Sequence, residues 1–483
     1  MIRIVTVALG LALCAGTGHG PHVERVTGNT VSSDGLAQGA IQPSVSADGR
    51  YVAAAVNEAP IVDGAYQHSA GETYVWDRKT RQTTLVSRIP FFSYVTPARG
   101  VSQFPRVSAS GRYVAYQSAY DYTPQTSIYV LDRDADGNGE FDGTSSGAWR
   151  IITISPPLTG QSANGRSYRP CISASGRYVA FSSYAYNLVA GDTNGPASGA
   201  PNPGPPVGVG CDVFIRDRDA DGNGVFDESG AAANKTLRVS VDSMGQQTNP
   251  HANSQNADLS GDGRFVAFDS DATSLAPGDT NGLSDVFVHD RDADGNGVMD
   301  EPGGIQTTRI SVGLGGESCD GASFMPGLSR DGRFVVFQSS ATNILPVGVG
   351  RFPTQNVYLF DRITAQMTLV SAPPSGGFAD GPSFDAVVSG NGRFVAFVSL
   401  ASNLVPGDTN SAADVFLYDR LSLSPATRLI RVSLTAALGQ SRFGGNSPAI
   451  SADGSVVCFA SASLDLVAGD TNKVRDIFAY VRP

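Results

Sequence analysis

Cysteine and histidine are scarce in this chain of 483 residues, which contains five of each. Apart from Cys14 near the N-terminus, the cysteines are Cys171, Cys211, Cys319 and Cys458, too few to form a disulfide scaffold. The histidines show no spacing typical of a metal site. Basic residues are not in excess either: the formal net charge is −11, which excludes the electrostatic footprint of a nucleic-acid-binding protein.

A long apolar run occurs only near the N-terminus, from Ile4 to Ala15. The run is shorter than the roughly 20 residues that a membrane helix needs. Arg3 precedes it and the small residues Gly16-Thr17-Gly18 follow it, as in a secretory signal peptide. We therefore predict a signal peptide over residues 1–18 and an exported chain over residues 19–483, without a transmembrane segment.

One short phrase, Ser-x-x-Gly-Arg, recurs through the chain at spacings of 60 to 87 residues. Its seven copies begin at Ser46, Ser108, Ser173, Ser260, Ser329, Ser389 and Ser451, and the last ends in serine instead of arginine. Asp-Gly and Asn-Gly pairs between apolar segments favour type I′ hairpin turns. Each phrase is followed by a β-rich segment, then a strand that in six repeats ends in Asp-Arg, then a fourth strand. The pattern predicts an all-β, seven-bladed β-propeller of four-stranded blades.

The two ends of the chain complement each other. The last repeat stops after its third strand, Asp476–Tyr480, and the exported chain begins with an isolated strand, Val23–Thr27. We expect this N-terminal strand to complete the last blade, because closure leaves no unpaired sheet edge at the junction. Seven blades use the whole exported chain, so we expect one domain and a monomer.

Two further motifs, Asn-Leu-Val-x-Gly-Asp-Thr-Asn and Asp-Val-Phe-x-x-Asp-Arg, recur in successive blades. With them the chain resembles the TolB-like propellers of exported bacterial proteins, which have WD-type repeats. The resemblance covers residues 22–483 and implies the fold. TolB itself carries an additional N-terminal α/β domain that we do not find here, so the resemblance implies no Tol-Pal role.

Three loops that follow an Asp-Arg pair carry alternating carboxylates, which suit calcium because this hard cation takes about six to eight oxygen ligands. The second and third loops match a calcium loop at positions 1, 3, 5, 6 and 12. Their predicted ligands are Asp217, Asp219, Asp221, Asn223 and Glu228, and Asp290, Asp292, Asp294, Asn296 and Glu301. The first loop offers Asp132, Asp134, Asp136 and Asn138, with Asp142 as a substitute for the missing twelfth ligand. We expect Ca²⁺ as the cofactor; the alternative is a solvated acidic turn.

A second acidic element, Gly-Asp-Thr-Asn, precedes the third strand in four blades, at Asp192, Asp279, Asp408 and Asp470. We favour a bracing role through local hydrogen bonds, with cation binding as the alternative. Propeller topology places these loops on the face of the blade-to-blade connections, and the calcium loops on the face of the Gly-Arg turns. Cys171 and Cys211 precede two strands of one blade, so a disulfide between them stays open.

A set of aromatic residues that does not repeat maps to the face of the blade-to-blade connections. It consists of Phe91, Phe92, Tyr94, Tyr120, Tyr122, Tyr184 and Tyr186. Aromatic residues clustered on loops indicate a ligand or partner patch, and the alternative is that they cover a blade interface. We expect Phe104, Tyr168, Phe324 and Phe384 to occupy one position of the repeat and to belong to the scaffold.

We therefore predict a calcium-binding interaction module that recognises a protein, peptide or glycan without catalysis. One alternative is a glycosidase or lyase with carboxylates at the central channel. Another is a purely structural envelope or matrix protein. An enzyme requires acidic side chains that do not repeat and that converge on the channel, whereas a binding module requires only a surface patch.

Overall fold

The computed structural model describes residues 20–27, 39–56, 71–87, 101–119, 126–143, 147–156, 163–193, 210–230, 233–247, 249, 252–346, 355–471 and 473–483. The described part begins with strand β1 (His22–Arg25). The first three blades are β2 (Ala40–Val45), β3 (Tyr51–Val56), β4 (Glu72–Asp77) and β5 (Thr83–Leu85); β6 (Gln103–Val107), β7 (Tyr113–Ser118), β8 (Ser127–Asp132) and β9 (Arg150–Thr153); and β10 (Ser167–Ile172), β11 (Tyr178–Ser183), β12 (Asp212–Asp217) and β13 (Lys235–Arg238).

The next three blades are β14 (Ser254–Leu259), β15 (Phe265–Ser270), β16 (Asp285–Asp290) and β17 (Gln306–Arg309); β18 (Ser323–Leu328), β19 (Phe334–Ser339), β20 (Asn356–Asp361) and β21 (Gln366–Leu369); and β22 (Ser383–Val388), β23 (Phe394–Ser399), β24 (Asp414–Asp419) and β25 (Leu429–Arg431). A single helical turn, α1 (Pro425–Arg428), precedes β25. The seventh blade contains β26 (Asn446–Ile450), β27 (Val456–Ser461) and β28 (Asp476–Val481).

The strands form seven antiparallel four-stranded sheets, and the N-terminal strand β1 is the outer strand of the seventh. β1 pairs with β28 in the register His22↔Val481 to Arg25↔Phe478. The innermost strands of consecutive blades contact one another around a ring, and those of the first and last blades also meet. The predicted seven-bladed propeller and its closure by the N-terminal strand are confirmed. Among the described residues, no helix is long and apolar enough to cross a membrane.

Apolar side chains of strands two and three fill the spaces between blades. In six blades an aromatic pair from these strands stacks across the sheet, as Phe268 and Phe287 do with ring centroids 5.9 Å apart. These pairs are directly opposite in the register, where cross-strand contacts stabilise a sheet most. The core therefore lies in the layers between blades, whereas both polar and apolar residues line the central channel.

The Ser-x-x-Gly-Arg turns differ from the predicted type I′ geometry. Gly49 has φ of 73°, but Asp48 is not left-handed, whereas a type I′ turn requires positive φ at both central residues. The amide of Gly49 donates to the carbonyl oxygen of Ser46 at 2.9 Å, and Ser46 Oγ accepts the amide of Tyr51 at 2.9 Å. The prediction is wrong because the serine side chain satisfies a backbone donor and so stabilises a longer loop.

These turns also join the blades through their backbones. In six phrases the amide of the second residue donates to the second residue of the next phrase, beginning with the amide of Ala47 and the carbonyl of Ala109 at 3.0 Å. In the sixth phrase the third residue, Asn391, donates instead, to the carbonyl of Ala452 at 2.9 Å. The series continues through all seven phrases and ends where the amide of Ala452 donates to the carbonyl of Ala47 at 3.0 Å. A closed circuit of backbone hydrogen bonds thus surrounds the axis at this end of the channel.

The Asp-Arg pairs fasten neighbouring blades on the same face. Arg291 is fully buried, donates to the carbonyl oxygen of Gly263 at 2.7 Å, and lies 4.7 Å from the ring centroid of Tyr178 in the preceding blade. The aspartate before it, Asp290, forms two hydrogen bonds with Arg264 of its own turn. Six aromatic residues lie between two guanidinium groups in this way: Tyr51, Tyr113, Tyr178, Phe265, Phe334 and Phe394. The Asp-Arg repeat is scaffold, as predicted.

Candidate functional site

Each innermost strand contains a β-bulge at the same place. In β10, for example, the register shifts between Tyr168 and Cys171. The residue at the bulge, Arg169, has φ of 49°, a left-handed conformation that costs a residue other than glycine about 1 kcal/mol or more. The next residue is proline or alanine in every blade, and proline is tolerated at a bulge because no ladder hydrogen bond needs its missing N–H. The strained backbone repeats, so it belongs to the scaffold.

The side chains at the bulge do not repeat. The seven bulge residues, all with φ between 49° and 55°, are Gln42, Phe104, Arg169, Asn256, Met325, Asp385 and Ser447. We call this set the bulge ring. Its members carry seven different side chains, and all of them line a cavity of about 430 Å³ in the central channel. Positions that share a backbone conformation but not a side chain are where a repeat protein can build a specific site.

This ring corrects one prediction about the aromatic residues. Phe104 does not occupy the same position as Tyr168, Phe324 and Phe384, because it lies one residue later in its repeat and points into the channel. The short first strand of the second blade begins at Gln103, so a comparison that aligns aromatic residues shifts this blade by one position. Phe104 is therefore a residue of the channel site and not of the scaffold.

The backbone of the bulge ring is supported from the preceding blade. The amide of Arg169 donates to Gln117 Oε1 at 2.9 Å, and the amide of Asp385 donates to Gln338 Oε1 at 3.0 Å. In the fifth blade the amide of Met325 donates to Asp269 Oδ1 at 3.0 Å. Side chains on strand two thus replace the ladder partners that the bulge removes, which is how buried amides are normally satisfied.

Arg169 is the centre of the polar side of the channel. Its Nη1 donates to Asn256 Oδ1 at 2.7 Å and lies 3.0 Å from the sulfur of Met325, and its guanidinium lies 5.0 Å from the ring centroid of Phe104. Burial lowers the pKa of Arg169, and the positive charge of Arg106 lowers it further. No carboxylate of the described residues forms an ion pair with this guanidinium, so its charge is only partly compensated.

Three carboxylates that belong to no repeat lie in the same region: Asp258 and Asp385 line the cavity, and Asp269 contacts Asn256 of the bulge ring. Burial raises the pKa of Asp269 to about 6, although the carboxylate accepts hydrogen bonds from Asn256 and Met325. Burial also raises the pKa of Asp258, against a hydrogen bond from the amide of Leu328. Burial raises the pKa of Asp385 against the charge of Arg169. Raised carboxyl pKa values beside guanidinium groups are typical of functional clefts.

The acidic loops on the other face hold most of the predicted calcium ligands close together. Asp219 accepts the amide of Gly224 through both oxygens at 3.2 Å, and Asn223 donates to Asp221 at 3.1 Å and to Glu228 at 2.5 Å. The third loop repeats this arrangement with Asp292, Asp294, Asn296 and Glu301. The first loop holds Asp134, Asp136 and Asn138 in the same way.

The first ligand of each predicted set is engaged elsewhere. Asp217 accepts two hydrogen bonds from Arg177, at 2.8 and 2.9 Å, and Asp132 and Asp290 are paired with arginine in the same manner. Asp142 is bound to Arg133, so it corresponds to Asp227 and Asp300 and does not replace the twelfth ligand. Within the described ranges, no group of three or more His, Cys, Asp or Glu side chains is arranged to hold a metal ion. Calcium binding stays a prediction.

The Gly-Asp-Thr-Asn loops are braced by arginine. Arg309 on the fourth strand lies 3.3 Å from Asp279 of the loop and 3.8 Å from Asp285 of the third strand. Asn281 also donates to Asp285, at 3.1 Å. Equivalent arginines, Arg25, Arg238 and Arg431, pair with Asp470, Asp192 and Asp408. These contacts favour the bracing interpretation, because a guanidinium lies where a cation would bind.

Most of the predicted aromatic patch lies outside the described residues, namely Phe91, Phe92, Tyr94, Tyr120 and Tyr122. Tyr184 is half-buried and stacks on Tyr168 at 5.7 Å. Tyr186 is half-buried too, and its amide donates to Asn164 at 3.0 Å. These two residues pack against their own blade, and a ligand role for the patch stays a prediction.

The four described cysteines are buried and not disulfide-bonded. Cys171 Sγ donates to the carbonyl of Ala180, and Cys211 Sγ lies 3.1 Å from the hydroxyl of Tyr168. Burial raises the pKa of both thiols, which keeps them protonated and unreactive at neutral pH. His289 is a core residue that contacts Thr307 at 2.8 Å.

The channel site was missed at the sequence level although a signal was present. Each bulge residue stands four positions before the serine of a Ser-x-x-Gly-Arg phrase. The residues around this position are similar in all seven repeats, but the position itself holds seven different residue types. A position that differs in every repeat, while its neighbours are the same from repeat to repeat, marks a candidate site even before the fold is known.

No protein-family profile matches this sequence, and no curated protein does either. Among solved structures, the β-propeller domain of the Trilobed protease from Pyrococcus furiosus is 9% identical over 92% of this chain and 95% of that chain, with a TM-score of 0.47. An oligogalacturonate lyase in complex with manganese is 9% identical over 96% and 97% of the two chains, with a TM-score of 0.48. TolB from Acinetobacter baumannii is 13% identical over 90% and 81%, with a TM-score of 0.36. The assignment of a propeller rests on the sheet topology of this chain itself.

Proposed function

We propose that this protein is an exported interaction module that binds a polar ligand, a glycan or an extended peptide segment, in its central channel. The observation that carries the proposal is the bulge ring, where one repeated backbone position presents seven different side chains to one cavity. The ring offers a cation, a carboxylate, two amides, a hydroxyl, a thioether and an aromatic face. Such a mixture of hydrogen-bonding groups with an apolar wall is typical of ligand pockets.

The test is a search for stabilising ligands followed by substitutions in the ring. Soluble glycans and unstructured peptides are screened by thermal shift, since a ligand that binds the folded state raises its stability. Phe104→Ala and Asp385→Asn should abolish the shift, whereas Gln366→Ala, an exposed position on β21, should leave it unchanged. The opposite result would contradict the proposal: if substitution of Phe91 and Phe92 abolishes the thermal shift while the ring variants keep it, the ligand binds the aromatic patch and not the channel.

A second candidate is a carbohydrate-active enzyme that uses the same channel. Asp258 and Asp385, which line the channel, favour it, because carboxyl groups with raised pKa values are suited to proton transfer near neutral pH. Incubation with polysaccharides and analysis of the products distinguishes an enzyme from a binding module. Product formation that Asp385→Asn or Asp258→Asn abolishes, without loss of binding, would identify an enzyme.

We also propose that Ca²⁺ binds the second and third acidic loops and stabilises their hairpins. The proposal rests on the twelve-residue ligand pattern and on the convergence of Asp219, Asp221, Asn223 and Glu228 in one loop. Calcium should raise the melting temperature relative to a chelator, and the double substitution Asp219→Ala, Asp292→Ala should remove that difference. An equal calcium effect in this double variant would refute binding at these loops.

A further inference from the structure

The guanidinium of Arg169 has one occupied edge and one open edge. Its Nη1 contacts Asn256 and Met325, as described above, while Nε and Nη2 donate to no group of the described residues. The side edge formed by Nε–H and Nη2–H matches the two oxygens of a carboxylate, and such paired hydrogen bonds are stronger and more directional than single ones. The open edge belongs to a residue that lines the channel cavity.

The orientation of Arg169 is set by a short chain of hydrogen bonds. Asp269 accepts Asn256 Nδ2 at 2.8 Å, which leaves Oδ1 of Asn256 to accept from Arg169 Nη1 at 2.7 Å. The face of Phe104 supports the guanidinium plane from a distance of 5.0 Å. A long side chain that is held on one edge and on one face loses little further freedom when it binds a ligand, which favours affinity.

The charges near Arg169 describe the rest of the ligand. Arg106 is a second cation that lines the channel and lowers the pKa of Arg169, whereas the carboxylates of Asp269 and Asp385 raise it. The attraction for a carboxylate therefore lies in the paired N–H groups of Arg169 and not in a net positive charge of the channel. Asp385, three blades away around the ring, is a carboxylate without an ion-pair partner among the described residues. A carboxylate on that side of the channel matches a hydroxyl or ammonium donor on the ligand.

We infer that Arg169 binds a carboxylate group of the channel ligand through Nε and Nη2, and that the ligand carries hydrogen-bond donors directed toward Asp385. Asp269 and Asn256 are positioning residues for this contact. The inference rests on the proposed channel site and deepens it by naming the chemical class of the ligand. A hydroxy acid and an amino acid share this chemistry, and the probes below separate them.

The experiment compares each acid with its own amide, in which a neutral carboxamide of the same shape replaces the carboxylate. Binding of gluconate and gluconamide, alanine and alaninamide, and benzoate and benzamide to the full chain is measured by ligand-observed NMR. We expect at least tenfold tighter binding of the acid than of the amide for gluconate or alanine, and weaker binding of benzoate, which has no donor. Tighter binding of gluconate than of alanine indicates a hydroxy acid as the ligand, and tighter binding of alanine indicates an amino acid.

Arg169→Gln should remove the preference for acid over amide, and Arg169→Lys should restore only part of it because lysine does not form paired hydrogen bonds. Arg442→Gln, at an exposed arginine far along the chain, is the matched control and should keep the full preference. Thermal melts establish that each variant is folded. Asp269→Asn should weaken acid binding while the binding of amides stays unchanged, which a general loss of structure would not produce.

Two results would overturn the inference in distinguishable ways. If channel ligands bind, but acids and amides bind equally or the preference survives Arg169→Gln, the carboxylate assignment is wrong and the proposed channel site stands. If neither these probes nor the glycans and peptides bind in a way that responds to the bulge ring, the proposed function fails and the inference fails with it.

Discussion

Asp269 combines deep burial with two hydrogen bonds, both accepted by Oδ1. Its side chain is 1% exposed, accepts one hydrogen bond from Asn256 and one from the amide of Met325, and forms no ion pair. Burial raises its pKa from the ordinary value of 3.8 to about 6. Below pH 4 the carboxyl is protonated in both the folded and the unfolded chain. Between pH 4 and pH 6 only the unfolded chain ionises, so the free energy of unfolding falls as the pH rises through this window.

Asp269→Asn should remove this part of the pH dependence. We expect the loss of unfolding free energy between pH 4 and pH 7 to be smaller in the variant by up to about 3 kcal/mol, from a shift of about two pKa units. Urea unfolding at the two pH values measures the difference. Asp271→Asn, at an exposed aspartate two residues later, is the control. Equal pH dependence in Asp269→Asn and wild type would show that Asp269 has an ordinary pKa.

The bulge of the innermost strand makes a prediction of its own. Ser447 has φ of 51°, where a β-branched residue is strongly disfavoured and glycine is not. Ser447→Val should lower the free energy of unfolding by at least about 1 kcal/mol, and Ser447→Gly should leave it unchanged or raise it. At Thr83, exposed on β5, the order should reverse, with glycine the more destabilising substitution. Chemical unfolding of the four variants tests both positions.

At the scale of whole elements, blades are held together by arginine as much as by apolar packing. Arg218 and Arg291 are fully buried, and each joins a carboxylate in its own loop, a backbone carbonyl of its own turn and an aromatic ring of the preceding blade. Removing one partner of such a buried pair leaves the other charge without compensation. A repeat protein can conserve this contact because every blade meets its neighbour with the same geometry.

Arg291→Met should therefore destabilise the protein by about 3–5 kcal/mol, because Asp300 loses its partner and the ring of Tyr178 loses its cation. Arg81→Met is the matched control. Its side chain is 60% exposed and pairs with Glu24, so the expected loss is below about 1 kcal/mol. Thermal and chemical unfolding give both values. A similar loss in the two variants would mean that burial of the guanidinium does not matter.

At the scale of the whole molecule, the junction between the last and first blades differs from the other six. Val456 stands where the other blades have an aromatic residue, and Arg78 of the first blade turns to Glu24 on β1, with Nε 2.7 Å from Oε1. Val23 of β1 packs into the core of the last blades. At the other junctions an arginine contacts an aromatic ring of the preceding blade. At the closing junction the ion pair between Arg78 and Glu24 and the buried side chain of Val23 take the place of that contact.

Val23→Asp should open this junction. A charge in the buried face of β1 should cost about 2–4 kcal/mol and should raise hydrogen exchange most in β26, β27 and β28. His22→Asp, on the exposed position of the same strand, is the control and should change stability little. Exchange that increases uniformly over all seven blades would instead indicate a ring that opens as one unit.

Blade number, strand order and closure were predictable because they depend on local patterns that the chain repeats. Each Ser-x-x-Gly-Arg phrase marks one hairpin, and the missing fourth strand at Tyr480 is matched by the extra strand at Val23. The turn type was not predictable, because the side chain of Ser46 satisfies an amide that the pattern alone assigns to a tighter turn.

The channel site required the tertiary structure. Gln42, Phe104, Arg169, Asn256, Met325, Asp385 and Ser447 come from seven blades and are separated by 60 to 87 residues along the chain. Side chains of a regular strand alternate between the two faces of the sheet, but the bulge interrupts this alternation at each of these residues. The period of the strand therefore does not predict that their side chains point into the channel. Local sequence determines a blade because a blade is built from neighbouring strands. Only the closed ring decides what faces the axis, because every blade contributes one side chain to it.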